Sequence, residues 1–272
     1  MIRVKSILGT DSIEINQNHF PDNSLFIKID KNYFGGFKKA IVYEWHYESD
    51  AELFTLICLR KHFNASLHIL EMPYCPHARM DRVKSDNDVF TLKYFCEIIN
   101  SLNFDEVKVL DAHSNVAPAL LHHCVNNAPT ANIIAAINQS QADILFYPDE
   151  GAMKRYSENV PGPYAFGIKK RNWDDGKILG LEIINKDLVK DKKVLIIDDI
   201  CSRGGTFYHS AKALKEAGAS EVFLYVTHLE KTIFEGELWK ESDTSKDSLV
   251  RQIYTANPLF EVDNNNLKIT VV

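Results

Sequence analysis

Residues 192–228, KKVLIIDDICSRGGTFYHSAKALKEAGASEVFLYVTH, read as one folding unit and constrain this 272-residue chain more than any other stretch. An apolar run, residues 194–197, ends in two adjacent carboxylates, Asp198 and Asp199. A short loop containing Gly204, Gly205 and Thr206 follows. A helical pattern through Ala211, Leu214 and Ala217 is then stopped by Gly218, and the apolar run 222–226 closes the unit. The order predicts strand, loop, helix and strand, a βαβ piece of a parallel sheet. A glycine loop that opens a helix presents backbone N–H groups at the positive end of the helix dipole, which suits a phosphate. The two acids ahead of it suit the vicinal hydroxyls of a ribose, or a metal that bridges them. The alternative is a buried strand ending in a solvated acidic turn. The joint occurrence of apolar run, acid pair, Gly-Gly-Thr and helix, in the order the chemistry needs, favours the ligand.

The length allows one large or two medium domains, and 45% hydrophobic with 25% charged residues is an ordinary soluble composition. The net charge is −6 and no Lys/Arg run is interleaved with aromatics, so nucleic acid is not an expected partner. The opening MIRVKSILGT has no long apolar region, and no apolar run approaches the roughly 18 residues of a membrane span; neither a signal peptide nor membrane insertion is expected. The five cysteines, Cys58, Cys75, Cys96, Cys124 and Cys201, are scattered and form no C-x-x-C, so reduced thiols and a cytoplasmic location are expected. Cys201, inside the loop, reads as a small packing residue.

Strand and helix signals alternate twice along the chain. Residues 40–43 and 67–70 read as buried strands with a helix over 51–63 between them. A second helix is predicted over 90–102, followed by a strand over 107–110 that runs into Asp111. In the second half, 143–146 and 165–168 read as strands ahead of the unit described above, and 267–272 as a last one. Both halves place polar residues after the carboxyl ends of strands, where open α/β sheets bind ligands. The expectation is an α/β protein of two similar domains, 1–125 and 126–272, each a mainly parallel sheet flanked by helices. Residues 229–243 read as an ordinary helix and loop without a site.

Four further segments carry chemistry-bearing residues. Pro73-Tyr74-Cys75-Pro76-His77-Ala78-Arg79-Met80-Asp81-Arg82 puts two arginines and an acid on a loop at a strand end, a phosphate clamp or equally a solvated charged loop. Asp111-Ala112-His113-Ser114 offers an acid and an imidazole to a metal or a nucleotide phosphate, although a lone His is more often structural. Residues 147–155 (YPDEGAMKR) place Asp149 before a glycine and a helix start, as an ordinary turn would. Lys169-Lys170-Arg171 is a run of cations that suits a solvated face or a polyphosphate.

Taken in order, these segments resemble the ribose-phosphate diphosphokinase family over most of the chain. The family begins with Phe-Ser-Asp-Gly-Glu, to which Phe20-Pro21-Asp22-Asn23-Ser24 is similar. Its Pro-Tyr-x-x-x-Ala-Arg-Gln-Asp loop resembles residues 73–82, its Asp-Leu-His resembles Asp111-Ala112-His113, and its Ser-Pro-Asp-x-Gly-Gly-x-x-Arg resembles residues 147–155. Its mobile Lys-Arg-Arg loop is similar to residues 169–171, and its Asp-Asp-Ile-x-x-x-x-Gly-Thr loop to residues 198–206. A single-domain phosphoribosyltransferase would not carry the first three.

The resemblance implies transfer of the diphosphoryl group of ATP to the 1-hydroxyl of ribose 5-phosphate, giving phosphoribosyl diphosphate (PRPP) and AMP, with Mg2+ as cofactor. It implies that Phe20, Asp22, Arg79, Asp81 and His113 hold ATP, with ATP on the first domain. His113 and Asp149 would meet the metal. Asp198 and Asp199 would hold the ribose hydroxyls, and Ser202, Arg203, Gly204, Gly205 and Thr206 the 5-phosphate. Lys169 and Arg171 would stabilise the transition state. A homo-oligomer is implied as well. The departures are Ser24 for a Glu facing the adenine, Met80 for a Gln, Ala152 for the second glycine, and Ser202 and Arg203 for an acid and a small residue. The last two are expected to make the phosphate loop more cationic. The sequence closes soon after its last strand-like segment, so the family's phosphate activation and ADP inhibition are not carried over. A PRPP-consuming phosphoribosyltransferase would explain residues 198–206 and leave 20–113 unused. A catalytically silent regulatory homologue would have no need of Lys169, Arg171 and His113.

Overall fold

A computed structural model of the chain describes residues 1–6, 12–13, 15–29, 40–171, 178–263 and 268–272, and of 169–171 and 178–180 only the backbone. The chain divides into two compact units, Met1–Ala128 and Pro129–Val272.

The first unit contains, in order, β1 (Ile2–Ser6), β2 (Ser12–Ile13), β3 (Ile15–His19), β4 (Leu25–Ile29), β5 (Ala40–Trp45), α1 (Ala51–His62), β6 (Leu67–Met72), α2 (Thr91–Ser101), β7 (Glu106–Leu110), α3 (Val116–Leu120) and β8 (Cys124–Asn127). Six strands form one sheet in the order β2-β1-β5-β6-β7-β8, parallel from β5 to β8 and antiparallel at β1 and β2. The predicted helices bury their periodic positions, Leu56 and Leu59 of α1 and Leu92, Phe95 and Ile99 of α2, against Tyr43, Trp45, Leu70 and Val109 of the sheet. That is the stripe a 3.6-residue period produces. β3 and β4 form a separate antiparallel hairpin, which hydrophobic periodicity alone had not marked because β3 (INQNH) carries only one apolar residue.

The second unit contains α4 (Thr130–Ser140), β9 (Ile144–Tyr147), α5 (Glu150–Tyr156), β10 (Tyr164–Arg171), β11 (Ile178–Ile184), β12 (Lys193–Cys201), α6 (Gly205–Glu216), β13 (Glu221–Leu229), α7 (Glu237–Lys240), β14 (Ile253–Pro258) and β15 (Ile269–Val271). Its sheet runs β11-β10-β9-β12-β13-β14-β15, parallel except at the β10–β11 pair. All nine residues of β13 are buried, as expected of a parallel strand covered on both faces. Val194 and Ile196 of β12 share a core with Phe207, Ala211 and Leu214 of α6. Leu195 and Ile197 face Ile133 and Ala136 of α4 and Tyr156 of α5.

Two strands run further than the sequence predicts. The β12–β13 ladder continues past the apolar run, pairing Asp198 with Val226, Ile200 with His228 and Cys201 with Leu229. The acid pair therefore lies inside the strand rather than after it, because backbone pairing does not depend on side-chain polarity. Likewise β10 continues through Lys169, Lys170 and Arg171, paired antiparallel with β11 and with a register shift between Lys170 and Arg171. The cation run is strand backbone, while the side chains of Lys169 and Arg171 lie outside the described residues.

Leu224 sits in the middle of β13, fully buried. Leu224→Ala is expected to cost about 2–5 kcal/mol in urea unfolding, against under about 0.5 kcal/mol for Leu188→Ala, whose side chain is exposed.

Candidate active site

The loop between β12 and α6 is built around two glycines with different reasons for being glycine. Gly204 takes φ +78°, the left-handed region, and a Cβ there would lie 2.9 Å from Leu238 Cδ2 and 3.1 Å from Ile233 Cδ1. Conformation and space both exclude a side chain. Gly204 is also the N-cap of the 12-residue α6, so no side chain caps the helix, and the N–H groups of its first turn face the region where an anion is stabilised by the helix dipole. Gly205 opens the helix, and a Cβ built there meets no atom within 4 Å.

Asp198 and Asp199 stand immediately before this loop. Asp198 Oδ1 accepts the backbone N–H of Asp199 at 2.9 Å. Burial holds the Asp198 carboxyl well above the usual carboxylate range, and the neighbouring charges of Asp199 and Asp149 push it the same way. Asp199 is buried at 8% side-chain exposure and faces Arg155 Nη1 at 3.2 Å. Arg155 comes from α5, whose N-cap is Asp149, its carboxylate accepting the Ala152 N–H at 3.1 Å. The structure thus brings Asp149, Arg155, Asp198 and Asp199 into one electrostatic cluster. Arg155 was visible in the sequence only as the last residue of the 147–155 segment; its pairing with Asp199 depends on β9 lying beside β12. Ala152, where the family pattern has glycine, is buried in the core on that side of the sheet.

Residues 229–243, which carry no site signal in the sequence, brace the 202–206 loop. The Glu230 N–H donates to Cys201 O at 2.8 Å. The hydroxyls of Ser202 and Thr232 are 3.0 Å apart, and Thr232 donates to Glu230 Oε2 at 3.2 Å. A Cβ on Gly236 would fall 1.8 Å from Arg203 O, so this glycine is required by direct backbone contact with the loop. Ile233 and Leu238, both fully buried, fill the space beside Gly204. The cation that Arg203 adds to the loop has a carboxylate beside it: Arg203 Nη2 donates to Glu235 Oε2 at 2.9 Å. At 72% and 59% side-chain exposure, such a pair is worth under about 1 kcal/mol, but it sets a carboxylate beside the added cation. Burial pushes the Cys201 thiol up, with Asp198 and Glu230 acting in the same sense, in keeping with a packing role.

In the first unit, Phe20 and Asp22 sit at the tip of the β3–β4 hairpin. Phe20 is 51% exposed and its ring lies 5.4 Å from Phe26. Asp22 accepts the Ser24 hydroxyl at 2.7 Å and the Ser24 N–H at 2.9 Å, and these bonds lower its carboxyl. Ser24 therefore closes the turn. The 73–82 loop and the 111–114 segment converge at Asp81, whose buried carboxylate takes Arg82 Nε at 2.8 Å and Nη2 at 3.2 Å. Its carboxyl is lowered first by Arg82, against burial, and further by Ser114 and His113. Asp111 is held at φ +48° with its N–H on Asn127 O at 2.9 Å, turning the chain at the end of β7 toward His113. Arg79 is exposed on the same loop. Among the described residues, no group of three or more His, Cys, Asp and Glu forms a metal cage.

Residues 152–264 match the Phosphoribosyl transferase domain family. The chain is 27% identical over 247 residues to a ribose-phosphate pyrophosphokinase of Thermoplasma volcanium, covering 83% of this chain and 79% of that protein. It is 26% identical over 228 residues to the enzyme of the same name from Pyrococcus abyssi, covering 79% and 76%. Its fold is that of the phosphoribosylpyrophosphate synthetase of Mycobacterium smegmatis, with a TM-score of 0.71 at 17% identity over 96% of this chain and 86% of that one.

Gly205→Ala is expected to leave the melting temperature unchanged or raised, since an added methyl meets open space and alanine favours helix. Gly236→Ala is expected to lower it by several degrees, because the Arg203 backbone must move; calorimetric melting of both variants checks the contrast. The raised Asp198 carboxyl binds its proton more tightly in the fold than in the unfolded chain. Its contribution to stability is therefore complete below the unfolded carboxylate value and is lost as pH rises through the raised one. Asp198→Asn, which keeps the acceptor for the Asp199 N–H, is expected to melt above the wild type at neutral pH. The gap should close as the pH is brought to about 4.

Proposed function

We propose that the chain is a ribose-phosphate diphosphokinase, as its likeness to proteins of that name supports, and that it transfers the β,γ-diphosphoryl group of ATP to the 1-hydroxyl of ribose 5-phosphate, giving PRPP and AMP. The observation that carries this reading is the adjacency, within one strand-to-helix connection, of the Asp198–Asp199 pair and the glycine-capped start of α6. The first suits a sugar diol and the second a phosphomonoester, the two groups that ribose 5-phosphate carries.

In this reading the two units divide the substrates. The hairpin tip with Phe20 and Asp22 and the Arg79–Asp81–His113 region take ATP. Residues 202–206 take the 5-phosphate, with Gly205 bare so that the anion can approach the helix N–H groups. Asp198 accepts from the ribose hydroxyls, while Asp199, held by Arg155, fixes the strand end. Lys169 and Arg171 offset charge that builds on the transferred group. There is little covalent chemistry for the protein to do, so positioning and charge compensation carry the catalysis.

Mg2+ fits this site as a companion of the nucleotide. Asp149 and Asp199 lie near Asp198, whose carboxyl is raised first by burial and further by those two charges. A hard divalent cation draws most of its oxygens from phosphates and water and needs few protein ligands; Asp149 would be one in the second unit. It would supply neutralisation of the polyphosphate charge. The proposal includes a cytoplasmic homo-oligomer; among the described residues no helix is long and apolar enough to cross a membrane.

The test is AMP release from ATP and Mg2+ with and without ribose 5-phosphate. Wild type is expected to release AMP only when ribose 5-phosphate is present. Lys169→Ala is expected to lower kcat by about 10²–10³-fold with KM changed only a few-fold. A wild type that binds ribose 5-phosphate and PRPP but releases no AMP would overturn diphosphoryl transfer in favour of a PRPP-consuming transferase. A rise in KM alone for Lys169→Ala would overturn the role given to that residue.

A further inference from the structure

Ser202 belongs to the phosphate loop, yet its hydroxyl proton is committed elsewhere. A carboxylate has no proton to give, so in the 3.2 Å contact between Thr232 Oγ1 and Glu230 Oε2 the threonine is the donor. Thr232 has a single hydroxyl proton, and with that proton on Glu230 its oxygen can only accept. The 3.0 Å contact between Ser202 Oγ and Thr232 Oγ1 is then one in which Ser202 donates. The relay runs Ser202 to Thr232 to Glu230, away from the loop, and leaves Ser202 with only oxygen lone pairs to present to an incoming anion.

We propose that Thr232 and Glu230 are positioning residues that hold the Ser202 proton out of the phosphate site and so limit how tightly ribose 5-phosphate is held. Three features support a built arrangement. Glu230 is tethered through its own N–H to Cys201 O, the residue before Ser202. Thr232 lies in the first positions of the 3-10 turn, Lys231–Glu235, that seats Ile233 against Gly204. Ser202, Thr232 and Glu230 are all partly buried, so water competes less for these hydroxyls than at an open surface. The chemical consequence is selective. A hydroxyl that donates to a phosphate dianion makes a charge-assisted bond, whereas one that turns lone pairs to it contributes none. The hold on the phosphate then falls to the rest of the loop, its backbone N–H groups at the helix start foremost. Loosened binding favours turnover where release of a phosphorylated product is slow.

The inference rests on residues 202–206 being the phosphate site, and a double-mutant cycle separates the two claims. Ribose 5-phosphate affinity is measured by titration calorimetry on wild type, Ser202→Ala, Thr232→Val, Thr232→Ser and the Ser202→Ala/Thr232→Val pair. With the relay intact, Ser202→Ala is expected to change Kd by less than about twofold, the proton being already withheld. Thr232→Val, of the same shape but without the hydroxyl, releases that proton and is expected to tighten binding by about tenfold. The double variant should lose this gain, and Thr232→Ser should behave as wild type. KM for ribose 5-phosphate should follow Kd while KM for ATP stays put, a split that a general loss of structure would not produce. Should Thr232→Val fail to fold, Glu230→Gln serves in its place. Its amide can donate to Thr232 and so reverse the relay, with tightening again expected. Weakening by Ser202→Ala that is equal in the wild-type and Thr232→Val backgrounds would overturn the relay while leaving the phosphate site standing. No binding of ribose 5-phosphate by the wild type would overturn both.

Discussion

Everything placed at the phosphate site depends on the parallel ladder between β12 and β13. It runs from the Lys193–Glu221 pair to the Cys201–Leu229 pair without regard to where the apolar residues end. Its apolar part is anchored by cores on both faces, and that anchorage makes it affordable to carry two carboxylates at the far end of the same strand. Pairing of Cys201 with Leu229 also determines where two chain segments leave the sheet side by side: the loop from 202 and the segment from 230. Because they depart together, one can support the other.

That support is steric before it is polar. Gly204 and Gly236 mark the two points of closest approach, one facing Leu238 and Ile233 and the other facing the Arg203 carbonyl. Hydrogen bonds between Ser202, Thr232 and Glu230, and the exposed Arg203–Glu235 pair, lie on top of this contact. Individually the polar contacts are modest. Their significance lies in which proton points where and in how many contacts hold the 202–206 loop against the segment from 230.

The acid cluster shows the opposing pressure. Asp198 is kept with its carboxyl raised, beside Asp199 and Asp149 and with Arg155 engaged by Asp199. A fold selected for stability alone would not bury like charges in this way, and perturbed carboxyls of this kind gather at functional sites. The first unit solves its charge problem differently. Asp81 is paired two-pronged with Arg82 and sits near Ser114 and His113, which lowers its carboxyl. That site is balanced without a ligand, and the second is not.

Much of this was legible in the residues. The strand over 222–226, the helix through Ala211 and Leu214, the Gly204–Gly205 turn and the acid pair all announce themselves locally, because apolar period, glycine and charge act over a few residues. The same holds for α1 and α2, whose buried faces follow directly from their spacing. Other features were not legible for a common reason. The extension of β10 through Lys169 and Arg171, and of β12 through Asp198 and Asp199, comes from pairing with strands distant in sequence, and no local pattern encodes it. The pairing of Arg155 with Asp199, the turn-closing role of Ser24 and the partnership of Arg203 with Glu235 are likewise contacts between side chains whose proximity the backbone decides. The sequence by itself determined the α/β class, the phosphate loop and the identity of the charged groups, since these rest on short-range physics. Only the tertiary structure decided that an unremarked segment, 229–243, would brace that loop and turn the Ser202 proton away from it, since that depends on β13 ending at Leu229 beside the end of β12.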